Sequence, residues 1–190
     1  DSRQSRGLGD VYKRQQNTIL GASAGSSLTD SDHNVAVGYA ALATDTKGNR
    51  TTAIGRFAAY TQNFTTSTDT NNVYIGYYAG ADATTGVRNT IVGALGAEEL
   101  TTAEDSVGIG YLCLGGNAGA ATTGHDNNCV GSQAGASLTS GALNNIIGQK
   151  AGNALTTGSN NVVVGDQALR DETAGLGQVA IGRNALLNCH

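Results

Sequence analysis

The chain has no proline, methionine or tryptophan, and only 5% of it is aromatic and 14% charged. A soluble domain averages about 5% proline and about 25% charged residues. So little charge beside 39% apolar residues excludes a disordered, charge-repelled chain. No apolar run nears the roughly 18 residues of a membrane span, and no secretory signal pattern stands out. The three cysteines, Cys113, Cys129 and Cys189, are irregularly spaced and fit neither an even disulfide framework nor a zinc pattern. What is abundant is glycine, 28 of 190 residues, without the triplet period of collagen. Asn, Thr and Ala accompany it, the composition of a repeat protein.

Ser5 to Gln15 reads SRGLGDVYKRQ and resembles the in-frame translation of a sequencing-library transposon adaptor. It lacks the periodicity that begins at Gln16, so residues 1–15 are set apart as an adaptor-derived or disordered segment and residues 16–190 form the repeat domain. That domain carries seven basic and thirteen acidic residues, the wrong sign for binding nucleic acid or an anionic membrane. The absence of an initial Met and a last copy that breaks off at His190 lead us to expect an internal piece of a longer rod.

An aliphatic-glycine pair recurs at Gly21, Gly38, Gly55, Gly76, Gly93, Gly110, Gly131, Gly148, Gly165 and Gly182. The interval is 17 residues except from Gly55 to Gly76 and from Gly110 to Gly131, where it is 21. With the glycine as position 0, position −1 is always aliphatic, from Leu20 and Val37 to Val164 and Ile181. Position +3 is Ala in eight copies, with Gly96 and Cys113 in the others. Position −4 is Asn in seven: Asn17, Asn34, Asn72, Asn89, Asn127, Asn144 and Asn161. Position −9 is a hydroxyl in nine, from Thr29 and Thr46 through Ser67 to Thr173. Because that column keeps its distance to the glycine, the four extra residues of the long intervals are expected upstream of it. A short β-branched run favours strand over helix, and 17 residues are too few for a βαβ crossover. The expectation is a parallel β-solenoid of ten coils stacked about 4.8 Å apart, hence a rod about 48 Å tall.

Alternate residues of a strand face opposite ways. One face holds the aliphatic column with Val35, Val73, Val107, Val162 and Val179, and is expected to line the coil. The other holds Ile19, Ala36, Ala53, Tyr74, Ile91, Gly108, Cys129, Ile146, Val163 and Ala180. It carries no charge, so it is expected to be buried against other subunits.

The unit N-N/S-x-V-A-I-G-x-x-A, clearest at Asn72, Val73, Ile75, Gly76 and Ala79, resembles the head repeat of YadA-like trimeric autotransporter adhesins. It is similar also to repeats in phage tail fibres and bacterial tail-fibre-domain proteins. The resemblance covers Gln16–His190. It implies a left-handed β-roll, a homotrimer, and display on a bacterial surface or virion for attachment to a host-surface glycan or protein receptor. The 17-residue unit is longer than the usual adhesin head unit, which favours the tail-fibre side of the resemblance.

Few residues suggest chemistry. Cys113 sits in the Ala column and reads as a small core residue. His33, His125 and His190 fall at different repeat positions and cannot converge. Gly115–Gly119 lacks the Asp of calcium-binding repeats. The acidic clusters Glu98, Glu99, Glu104, Asp105 and Asp166, Asp171, Glu172 lie in variable turns, where a solvated role is the default. No nucleophile elbow, phosphate loop or metal-spaced His–Glu pair is present, so no enzyme activity, cofactor or metal is expected. Beyond the first 15 residues, the aromatics are Tyr39, Phe57, Tyr60, Phe64, Tyr74, Tyr77, Tyr78 and Tyr111. Phe57, Tyr78, Leu95 and Leu112 share one column. Phe57, Tyr77, Tyr78 and Tyr111 are therefore the candidate binding residues, able to grip a sugar or a protein receptor.

The leading expectation is a non-enzymatic attachment module. Two alternatives are an ice-binding solenoid, which needs a flat double Thr column, and a polysaccharide-degrading solenoid. Here the second hydroxyl column is the adjacent residue (Thr68, Thr85, Thr102, Thr123, Ser140, Thr157), and adjacent strand residues point oppositely.

Overall fold

A computed structural model describes residues 16–117 and 119–187; Cys189, His190 and the adaptor-like segment lie outside them. Each coil contributes one three-residue strand just before its glycine. These are β1 (Thr18–Leu20), β2 (Val35–Val37), β4 (Thr52–Ile54), β6 (Val73–Ile75), β7 (Thr90–Val92), β8 (Val107–Ile109), β9 (Asn128–Val130), β10 (Asn145–Ile147), β11 (Val162–Val164) and β12 (Val179–Ile181). They form one ten-stranded parallel sheet in chain order. Two further short strands, β3 (Gly48–Asn49) and β5 (Thr68–Asp69), pair beside the first long coil. No helix occurs among the described residues. The chain is a β-solenoid of about ten turns, and equivalent positions pair in register, as in Ile54↔Ile75 and Ile146↔Val163.

Four positions per coil set its path. The repeat glycines have φ between 118° and 143°, and a Cβ on any of the first nine would fall well under 3.0 Å from the next glycine's carbonyl oxygen. Backbone stacks directly on backbone there, so only Gly fits. Positions +2, +4 and −5 are left-handed in every coil, including non-glycines such as Phe57 (φ 59°), Leu114 (φ 49°) and Arg88 (φ 60°). The +2 residue closes a tight turn in which, in most coils, the +3 amide donates to the glycine carbonyl, as from Ala58 to Gly55. Those corners strain the chain at fixed places, and the ladder of inter-coil bonds holds them.

The sheet faces the opposite way from the expectation. Position −2 lines the core: Ala36, Ala53, Tyr74, Ile91, Cys129, Ile146 and Val163 are all fully buried. Positions −1 and −3 turn outward, half-buried or exposed, with Ile109 42% and Ile147 48% exposed. In several coils −2 and +4 match each other in size: Gly108 lies against Leu114, while Tyr74 lies against Gly80 and Ile146 against Gly152. Other coils pair two small residues, Ala53 and Ala59, or two large ones, Val163 and Leu169, so the narrow core is not filled by that pair alone. A Cβ on Gly80 would strike the Tyr74 ring. Gly80→Ala is therefore expected to cost about 2 kcal/mol in urea unfolding. Adding Tyr74→Ile should recover most of it, because Ile91 and Ala97 already form that pair one coil on.

Inside the turn, the Asn column builds a ladder. Each of the seven Asn side chains donates to a carbonyl 14 residues ahead, as Asn34 to Gly48 (2.9 Å) and Asn144 to Gly158 (2.9 Å). Each also accepts the amide of the residue at −4 in the next coil, as from Asn89 to Asn72 (2.9 Å). Where Thr51 interrupts this column, a second polar cluster fills in. Asp45 and Gln62, both buried, occupy position +7, which holds Leu28, Leu100, Leu138 and Leu155 elsewhere. The Asp45 carboxylate accepts the amides of Gly48 and Phe64 and the Gln62 side-chain amide. Gln62 in turn reaches Thr51 and Asn72.

That cluster anchors the first insertion, whose place corrects the expectation. Asn63, not Ser67, continues the hydroxyl column: Thr46 Oγ1 bonds to Asn63 Oδ1 (3.0 Å), and the Asn63 amide donates to Thr84 (3.1 Å). The extra residues thus follow the column, and Ser67 kept the spacing by coincidence. In the second long coil they precede it as expected, because the amide of Thr101 donates directly to Thr122.

Candidate functional site

Two surface features could meet a partner. The first is the outward face of the ten-stranded sheet, an aliphatic ladder flanked by Val, Thr and Asn. These side chains lie outside the buried core cluster, and the strands that carry them are hydrogen-bonded to one another along the sheet. β-branched residues suit strands, and on this face −1 is aliphatic in every rung, while −3 is Val in five rungs and Thr or Asn in the other five.

The second feature lies at the adjoining corner, at positions +1 and +2. The +2 residues project from left-handed backbone, while +1 is exposed in eight coils and half-buried at Ala94 and Asp166. Tyr39, Phe57, Tyr60, Tyr77 and Tyr78 come together there: Tyr39–Phe57 centroids lie 5.3 Å apart, Phe57–Tyr60 5.1 Å, Phe57–Tyr78 4.9 Å and Tyr77–Tyr78 4.5 Å. Arg56 sits among them, its guanidinium carbon 4.5 Å from the Phe57 centroid and 5.7–5.9 Å from those of Tyr39, Tyr77 and Tyr78. Its Nη1 donates to the Tyr77 hydroxyl at 3.3 Å. Phe57 and Tyr78 are half-buried, whereas Tyr39, Tyr60 and Tyr77 are exposed.

The structure thus brings together three of the four candidate binding residues, Phe57, Tyr77 and Tyr78. Tyr111 is exposed in the same +1 column but two coils from Tyr77, with Ala94 between them. Tyr74 and Phe64 belong to the interior; burial pushes the Tyr74 hydroxyl above its ordinary range. Sequence reading missed Arg56, although its place between Tyr39 and Tyr77 in the +1 column was a usable signal. It missed Asp45 and Gln62 as well, whose signal was a polar pair in a Leu column.

Other candidates take structural roles. The −9 hydroxyls donate to carbonyls of the next coil, as Thr84 to Thr101 (2.9 Å) and Thr156 to Thr173 (2.9 Å), so they are engaged in stacking. Cys113 and Cys129 are buried free thiols. Burial pushes Cys113 up to about 12 and Cys129 well above the ordinary thiol range, which leaves both unreactive. His125 Nδ1 accepts the Glu104 amide (3.1 Å). Asp105 is held below the usual carboxylate range by its hydrogen bond to Arg88. Glu98 is raised, first by partial burial and then by Asp82 and Glu99. No group of three or more metal-ligating side chains occurs among the described residues. No described helix is long and apolar enough to cross a membrane. No protein-family model, curated protein or solved structure matches the chain.

Proposed function

We propose that the chain is a non-enzymatic structural and attachment module, a stretch of a homotrimeric fibre or surface adhesin of the kind its repeat resembles, displayed outside a cell or virion. The observation that carries this reading is the outward aliphatic ladder. Ten rungs at about 4.8 Å make a straight apolar strip about 43 Å long, running along the solenoid beside a stack that has no other use for it. Contiguous apolar surface on that scale marks an interaction face, and copies of one chain match it rung for rung around a common axis. The assembly surface is therefore the −1/−3 face, not the −2 face that the sequence suggested. A stiff rod with three chains then multiplies weak receptor contacts, so avidity stands in for affinity.

Light scattering on the chain at micromolar concentration is expected to give three copies. Ile109→Glu with Ile147→Glu should yield monomers whose circular dichroism is unchanged, because neither side chain enters the coil's core. A folded wild-type monomer would contradict the reading.

A further inference from the structure

We infer that the Arg56 corner is a binding site for a carboxylate-bearing polysaccharide, a polymer of uronic-acid-type sugars. This deepens the attachment reading and rests on it. The first observation is electrostatic. Among the described residues, Arg50 pairs with Asp69 (2.6 Å), Arg88 with Glu104 and Asp105 (2.7 and 2.6 Å), Arg170 with Asp171 (2.7 Å) and Arg183 with Asp166 (3.5 Å). Arg56 has no carboxylate among them, in a chain whose net charge is −4. Its guanidinium is instead held by the faces of Phe57 and its neighbours and by the Tyr77 hydroxyl. Aromatic faces hold an arginine in place without consuming its N–H donors. Nε and Nη2 remain to meet a carboxylate, the planar acceptor that the guanidinium fork fits best.

The second observation is the lattice of rings. Tyr39 and Tyr77 stand in one exposed column on either side of Arg56, and Tyr60 lies beside them. Successive rungs are about 4.8 Å apart, close to the length of one pyranose residue. An extended polysaccharide laid along the axis can therefore place sugar faces on Tyr39 and Tyr77 and one carboxylate, on the sugar between them, on Arg56. Tyrosines serve this well, since each offers a flat apolar face and a hydroxyl at little cost in side-chain entropy. An acidic peptide offers the charge without flat rings to stack.

The test is titration calorimetry of the full chain with a linear oligogalacturonate, its methyl ester, a neutral glucan oligomer and oligoglutamate. The uronate is expected to bind, with the ester at least tenfold weaker. Arg56→Gln and Tyr77→Ala should each weaken uronate binding at least tenfold while leaving the melting temperature unchanged. Undiminished binding by Arg56→Gln overturns the inference. So does oligoglutamate binding as well as the uronate, which would assign the corner to acidic peptides. Binding of the neutral glucan without the uronate would overturn the acidic-sugar inference and leave the attachment reading standing. If no glycan binds, the inference falls, and the attachment reading falls with it only if light scattering also shows a folded monomer.

Discussion

Gly93→Ala is expected to break the solenoid locally. The new Cβ would meet the Gly110 carbonyl oxygen well under 3.0 Å away, in a backbone at φ 143° that L side chains rarely adopt. Backbone cannot yield as a flexible side chain can, so steric and torsional costs combine to roughly 3–5 kcal/mol. In a stack held by nearest-neighbour contacts, that cost falls on the β7–β8 step and should split one unfolding transition into two. Gly177→Ala is the contrasting control. A Cβ there meets nothing within 4 Å, at φ 65°, and only the left-handed penalty of about 1 kcal/mol applies. Urea unfolding of the two variants compares a glycine closed in by the next coil's backbone with one in open left-handed backbone. Equal losses would contradict the close stacking of the glycine column.

Asn144→Leu should be nearly as damaging, for a different reason. Asn144 is fully buried. It donates to Gly158 O and Asn127 Oδ1, each at 2.9 Å, and its Oδ1 accepts from the amide and side chain of Asn161 at 3.1 and 2.9 Å. Leucine would strand the Asn161 amide and the Gly158 carbonyl without water to replace the lost partner. Each orphaned buried group costs about 1–3 kcal/mol, so a loss of roughly 3–5 kcal/mol is expected. Hydrogen exchange should show the Asn161 amide losing its protection first. Retained protection there would mean that the Asn ladder is incidental to stacking.

Much of this architecture is legible in the sequence because stacking is a one-dimensional constraint. A glycine whose Cβ has no room must recur in every coil, and an Asn that bonds to the coil above must recur with it. Periodicity therefore located the strands, the turn and the ladder. It did not reveal which side of a three-residue strand faces inward. The −1 column is uniformly aliphatic and looks like a core. The true core column, at −2, varies from Gly108 to Tyr74, and in several coils +4 is matched to it in size, as Leu114 to Gly108 and Gly80 to Tyr74. That signal lies between two columns, which inspection of each column alone cannot show. The first insertion was misplaced for a related reason: Ser67 offers a hydroxyl at the right spacing, but the structure places Asn63 in that column. At the candidate site, the shared column of Phe57 and Tyr78 was readable. The role of Arg56 was not, because its lack of a carboxylate partner among the described residues stands out only beside the ion pairs of Arg50, Arg88, Arg170 and Arg183.

The central claim is that equivalent positions lie in one line at one rung per repeat. Pulsed electron resonance between spin labels at +1 positions tests it most directly. The labels go on Ala22→Cys paired in turn with Ala94→Cys, Ser132→Cys and Arg183→Cys, in a Cys189→Ser background. The buried thiols of Cys113 and Cys129 should stay unlabelled, and dilution with unlabelled chain isolates distances within one copy. At about 4.8 Å per rung, the backbone separations are about 19, 29 and 43 Å. The predicted result is a distance that grows in proportion to the number of rungs, regardless of the two long coils. An Ala22–Arg183 distance equal to or shorter than Ala22–Ser132 would contradict it.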